Sequence, residues 1–131
     1  MKQPRWIPES AVIAMQEALI ADHGGMIGIR DSGLLSASLA RPQHLFNYSD
    51  RVTLFELAAA YAYGLAKNHV FLDGNKRIAL VVIDIFLRLN GYELIASEAE
   101  AVIKITNLAA GVEEQDSIAC LLYTSPSPRD S

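Results

Sequence analysis

The stretch His69-Val70-Phe71-Leu72-Asp73-Gly74-Asn75-Lys76-Arg77 lies between two long apolar segments, and how it is read decides the fold. It holds a titratable base, a carboxylate, a glycine and two adjacent cations. After it come Ile78, Leu80, Val81, Val82, Ile83, Ile85, Phe86, Leu87 and Leu89, a segment apolar nearly all round that stops at Asn90-Gly91. The β-branched residues in it would suit a strand. Its length and its Asn-Gly stop predict instead a helix over about 75–90, buried at the centre of the domain. Before the stretch, Thr53-Leu54-Phe55-Glu56 reads as a capping box, in which side chain and backbone satisfy each other at a helix start. It opens a helix to about Asn68 with Leu54, Leu57, Ala58, Tyr61 and Leu65 inward. The stretch His69–Arg77 is therefore a turn joining two helices.

Working outward, Pro8 suits the first turn of a helix carrying Val12, Ile13, Met15, Leu19 and Ile20 at helical spacing. Gly24-Gly25 closes it, since glycine adopts the left-handed conformation at low cost. Asp31 caps a second helix from Ser32 to about Ala40, which Arg41-Pro42 stops. Residues 42–52 lack periodicity and predict a loop or short extended flap. Beyond Gly91, Tyr92 to Ile95 is at most a brief extended piece. Ser97-Glu98-Ala99-Glu100 is a second capping box, opening a helix to about Ala110. Gly111 ends that helix, and a short one follows from about Glu113. The expected fold class is all-α, with about six helices around a central one.

A chain of 131 residues, 51% apolar or aromatic, can bury one core without disulfides or metals. Its net charge of −4 does not suggest direct nucleic-acid binding, and Lys76-Arg77 stands out against that background. Met1 to Ser10 lacks the apolar core of a secretory signal. Asp84 and Arg88 interrupt the most apolar run, so no membrane span is expected. The expected location is the cytoplasm. The one cysteine, Cys120, excludes a disulfide framework or a cysteine metal site. From Cys120 to Asp130 helical periodicity gives way to a Ser/Pro stretch. It reads either as a flexible tail or, more sharply, as a string resembling a translated sequencing adapter. Residues 1–119 are thus the expected domain, with 120–131 a non-native tail.

The chemistry of the central stretch follows from its place between two helices. A helix start presents unpaired N–H groups and a positive dipole end, and Gly74 removes a side chain where an anion would approach. Lys76 and Arg77 oppose that dipole, so an anionic ligand is the simplest reason for them. Arg77 suits two-pronged contact with phosphate oxygens, and Lys76 acts as a mobile point charge. Asp73 is placed to hold Mg²⁺ beside phosphates or to cap the helix. Asn75 either caps the helix or contacts phosphate. His69 is placed to take a proton from an attacking hydroxyl or, more plainly, to cap a helix end. Phe71 is a core anchor on either view. The glycine spacing of a P-loop is absent.

The stretch resembles the Fic/Doc signature, written HxFx[D/N][A/G]NKR in the death-on-curing (Doc) branch. Gly24-Gly25, Gly28-Ile29-Arg30-Asp31, Leu34-Leu35, Ala40-Arg41-Pro42-Gln43 and Asn90-Gly91 resemble the same family in the same order, covering about residues 6–119. The resemblance implies the helical Fido fold. Fic enzymes of the commoner kind carry HxFx[D/E]GNxRxxR and transfer AMP from ATP to a hydroxyl. Here Lys76 replaces the usual glycine and Leu80 stands at the second arginine, as in Doc, where ATP binds in the reverse sense and the reaction becomes phosphorylation. The family's founding toxin acts on a threonine of elongation factor Tu, which stops translation. Carried over, His69 is the general base, and Asp73 helps hold Mg²⁺. Asn75, Lys76 and Arg77 bind phosphates, Gly74 gives backbone access, and Lys67 is a further phosphate contact. The sequence contains no self-inhibitory [S/T]xxxE[G/N] segment, so the resemblance implies a separate, Phd-like antitoxin. AMP transfer, which Gly74 suits, and a non-catalytic Fido-fold binding module are the competing readings.

Overall fold

A computed structural model of the chain describes residues 3–49, 51–94, 100 and 126–128. Four helices make up its body: α1 (Glu9–His23), α2 (Ser32–Tyr48), α3 (Leu54–Lys67) and α4 (Asn75–Leu89). A strand β1 (Tyr92–Leu94) pairs antiparallel with β2 (Pro126–Pro128), Glu93 opposite Ser127. The all-α expectation therefore holds for the body of the domain. The helices expected over 97–110 and from 113 lie outside the described residues, apart from Glu100, which is helical.

The sequence reading put α4 at the centre, but among the described residues that place belongs to α3. It packs on α2 on one side and α4 on the other. Leu57 to Ala62 and Gly64 to Ala66 are all buried. The physical reason is side-chain size. Alanines let neighbouring helices approach closely, and a Cβ at Gly64 would stand 2.8 Å from the Ser38 Cβ. The other apolar helix, α4, is one-sided: Ile78, Ala79, Val82, Ile83, Phe86 and Leu87 are buried, while Lys76, Arg77, Arg88 and Leu89 are exposed.

The helix starts at Asp31 and Thr53 form as expected. Asp31 Oδ1 accepts the Leu34 N–H at 3.0 Å. Thr53 Oγ1 accepts the Glu56 N–H at 3.2 Å while Glu56 Oε1 accepts the Thr53 N–H at 2.9 Å. Helix α2 corrects the second-helix boundary. It runs through Pro42 to Tyr48, and the loop or flap expected from residue 42 is absent up to that point. A proline inside a helix costs about 3 kcal/mol, and burying one large apolar side chain contributes roughly 1.5–3 kcal/mol. Pro42 is itself buried, and Leu45 and Phe46 are half-buried on the core. The Phe46 ring meets Trp6 edge-on at 5.9 Å, and Trp6 stacks on Phe86 at the same distance. Tertiary burial of that size is enough to carry the helix past its proline.

The N-terminal segment is fixed by Tyr61, whose hydroxyl accepts the Ile7 N–H at 3.2 Å. Burial pushes the Tyr61 phenol above its ordinary value of 10.0, against the lowering effect of that hydrogen bond. No helix among the described residues is long and apolar enough to cross a membrane.

Candidate active site

The turn between α3 and α4 opens into a cavity of about 360 Å³ lined by His69, Leu72, Asp73, Gly74, Asn75, Lys76 and Arg77. The structure thus gathers six of the seven residues singled out in the sequence. The seventh, Lys67, does not line the cavity. Its Nζ lies 5.5 Å from the centre of the Tyr63 ring, within range of a cation–π contact.

Helix α4 begins on Gly74, whose φ of 81° is left-handed, and no side chain caps it. The first backbone bond at this start is Ile78 N–H to Gly74 C=O, 2.8 Å. The amides of Asn75, Lys76 and Arg77 precede it and form the positive end of the helix dipole. Lys76 and Arg77 are both exposed beside those amides. The result is a concentration of positive charge suited to an anion on an otherwise acidic chain.

Asp73 is not a helix cap. Its Oδ2 accepts the Met26 N–H at 2.7 Å, which ties the carboxylate to the segment before α2. Its other oxygen accepts no hydrogen bond among the described residues. The space around it depends on Gly25. A Cβ there would stand 3.2 Å from Asp73 Oδ2 and 3.1 Å from the Ile20 side chain, and the φ of 117° disfavours any side chain.

Asn75 also takes a role different from the two read in the sequence. It is 9% exposed, and its amide clasps the backbone of Phe71 in both directions. Phe71 N–H donates to Asn75 Oδ1, and Asn75 Nδ2 donates to the Phe71 carbonyl, each at 2.9 Å. This side chain shapes the turn, so what Asn75 presents to an anion is chiefly its backbone N–H. Phe71 is buried, as expected of an anchor.

His69 is exposed on the cavity wall, with a φ of 50° that is rare for a residue with a side chain. Two residues that the sequence reading gave no chemical role hold this turn. Buried Gln16 on α1 donates to the carbonyls of Met26 (3.1 Å) and Asp73 (3.2 Å) and accepts from Gly28 N–H (3.4 Å). Arg30 donates to the carbonyls of His69 and Asn68. The main chain reinforces this, with Ile29 bridging Phe71 and Leu72 N–H bonded to Gly28 C=O. A polar residue on a helix face otherwise carrying apolar side chains was the only available signal for Gln16. For Arg30 the signal was its place in Gly28-Ile29-Arg30-Asp31, which resembles the family, directly before a helix cap.

This arrangement juxtaposes an accessible imidazole, a carboxylate with one oxygen engaged, two cations and an open helix start. It is suited to binding a phosphorylated ligand and moving a proton beside it. Comparison with known proteins identifies the family. The profile of the Fic/DOC family matches residues 6–87, from Trp6 through most of α4. The chain is similar to "Protein kinase doc" of Escherichia phage P1, 38% identical over 93 residues, covering 71% of this chain and 74% of that protein. It is also similar to "Toxin Doc" of Mycolicibacterium smegmatis, 43% identical over 74 residues, covering 56% of this chain and 57% of that protein. With its signature turn folded around the cavity and its family profile reaching into all four helices, this chain belongs to the Fic/DOC family.

Proposed function

We propose that this protein is a Doc-type toxin that transfers the γ-phosphoryl group of ATP to a serine or threonine hydroxyl of a translation factor. Elongation factor Tu is the first target to test. The observation that carries the reading is the convergence of His69, Asp73, Lys76 and Arg77 on one cavity at an open helix start. The names of the two relatives, a protein kinase and a toxin, support it.

In this reading the amides of α4 and the Lys76 and Arg77 side chains bind the phosphates, and positioning with charge stabilisation carries most of the catalysis. His69 accepts the proton of the target hydroxyl. The hydroxyl oxygen bonds to the γ-phosphorus, the bond to the β-phosphate oxygen breaks, and ADP leaves. Among the described residues no three metal-binding side chains gather. A single carboxylate such as Asp73 nevertheless fits Mg²⁺ delivered with a nucleotide, which is held by one or two carboxylates plus phosphates. The ion would neutralise phosphate charge. The protein would work in the cytoplasm, restrained by a Phd-like antitoxin, and a pull-down from the native operon checks for that small partner.

The second reading is AMP transfer, favoured by Gly74 and opposed by Lys76 and Leu80. Incubation with γ- or α-labelled ATP and a translation extract decides between them. The γ label is expected on the target, and transfer of the α label instead would overturn phosphorylation. His69→Ala should slow transfer by roughly 10²–10⁴-fold, the usual range for a general base. Unchanged transfer in that variant would exclude His69 as the base.

A further inference from the structure

We infer that Arg30 is a positioning residue that sets the backbone conformation of His69; the inference rests on the reading of His69 as the base. Helix α3 ends at Lys67, with Asn68 still in a right-handed conformation (φ −83°, ψ −9°). The next residue turns left-handed, at φ 50°. Helices commonly end this way, but the left-handed residue is usually glycine, because a Cβ crowds the backbone there. Here a histidine occupies the position, so something outside the turn must hold it.

Arg30 is the residue placed to do so. Its Nε donates to the His69 carbonyl at 2.6 Å and its Nη2 to the Asn68 carbonyl at 2.7 Å. Its backbone N–H donates to the next carbonyl, that of Val70, at 2.8 Å. One residue thus takes up three successive carbonyls across the helix end and the left-handed turn. The guanidinium also places positive charge at the negative end of the α3 dipole. The planar fork is what the geometry requires, because its two nitrogens reach adjacent carbonyls together and a lysine ammonium is a single point donor. No bond from Arg30 touches the imidazole. Its action on the reaction runs through the direction of the His69 Cα–Cβ bond.

Arg30→Ala and Arg30→Lys, compared with the unmodified chain, test this. The His69 backbone is read by the HN–Hα coupling and the Cα and Cβ shifts in nuclear magnetic resonance. The kinetics are read by kcat, KM for ATP, and ADP affinity by calorimetry. In both variants His69 should lose its positive-φ signature. The kcat should fall about 10–100-fold, the scale expected of an ångström-sized misplacement. KM for ATP and ADP affinity should stay unchanged, because Lys76, Arg77 and the α4 amides are untouched. The lysine variant keeps the charge and the stem, so it serves if the alanine variant does not fold. Unchanged kcat in the lysine variant overturns the inference. So does a fall in kcat with the His69 coupling intact, or an ADP affinity that falls as far as kcat does. If His69→Ala transfers phosphate at the unmodified rate, the reading of His69 as base fails instead, and the coupling measurement still decides whether Arg30 sets that backbone.

Discussion

At the start of α3, Thr53 and Glu56 satisfy the helix with their own side chains; at the start of α4, Gly74 supplies no side chain and the amides that follow go uncapped. Both starts belong to helices of similar length that pack on each other. The difference lies in what each end is for. A helix that only supports the core has its orphan donors met within the chain. The helix at the cavity leaves them open, and the stability a cap would give has to come from elsewhere. Asn75 supplies it by tying the first turn of α4 back to Phe71.

The strongest challenge to that account is Asn75→Ala. It leaves the buried N–H and C=O of Phe71 without partners, each costing roughly 1–3 kcal/mol, so a loss of about 2–6 kcal/mol is expected. Urea unfolding measures it, and a loss near that of an exposed substitution would mean the open start of α4 needs no compensation. A second measurement addresses the left-handed turn ahead of that start. His69→Gly should be more stable than His69→Ala by about 1–2 kcal/mol, the cost of a Cβ in that conformation, although neither variant retains a base. Equal melting of the pair would show that the turn carries no backbone strain. The smallest effect is at the capped start. Thr53→Ala should cost about 1 kcal/mol of stability and leave phosphate transfer at the unmodified rate. A drop in transfer there would show that the two helix starts are not separable in function.

Much of this contrast can be read in the sequence, because caps are local. Thr53 and Glu56 stand at the spacing that reciprocal capping requires, and Asp31 directly precedes its helix. The His69–Arg77 stretch is equally compact, so six candidate residues of the cavity are legible in the order of residues alone. What escaped was non-local. Pro42 looked like a stop because its effect on the backbone is immediate, whereas the burial of Leu45 and Phe46 that outweighs it depends on Trp6 and α4. Asn75 looked like a cap or a phosphate ligand because nothing in the order of residues shows that its amide turns back to Phe71. Arg30 and Gln16 reach the turn across long separations in sequence, and such partners show no periodicity or spacing of their own. Among the described residues the centre of the bundle falls on α3 for a related reason. Hydrophobicity favoured α4, while closeness of approach, set by alanines and by Gly64 against Ser38, favoured α3.

Gly25 follows the cap of an ordinary helix and shares no segment with the His69–Arg77 turn, yet its missing side chain is what leaves room for Asp73. In a saturation mutagenesis experiment scored by toxicity, position 25 should therefore group with the signature residues, accepting almost no replacement. A pattern drawn only from the contiguous signature would leave out a position on which the placement of the Asp73 carboxylate depends.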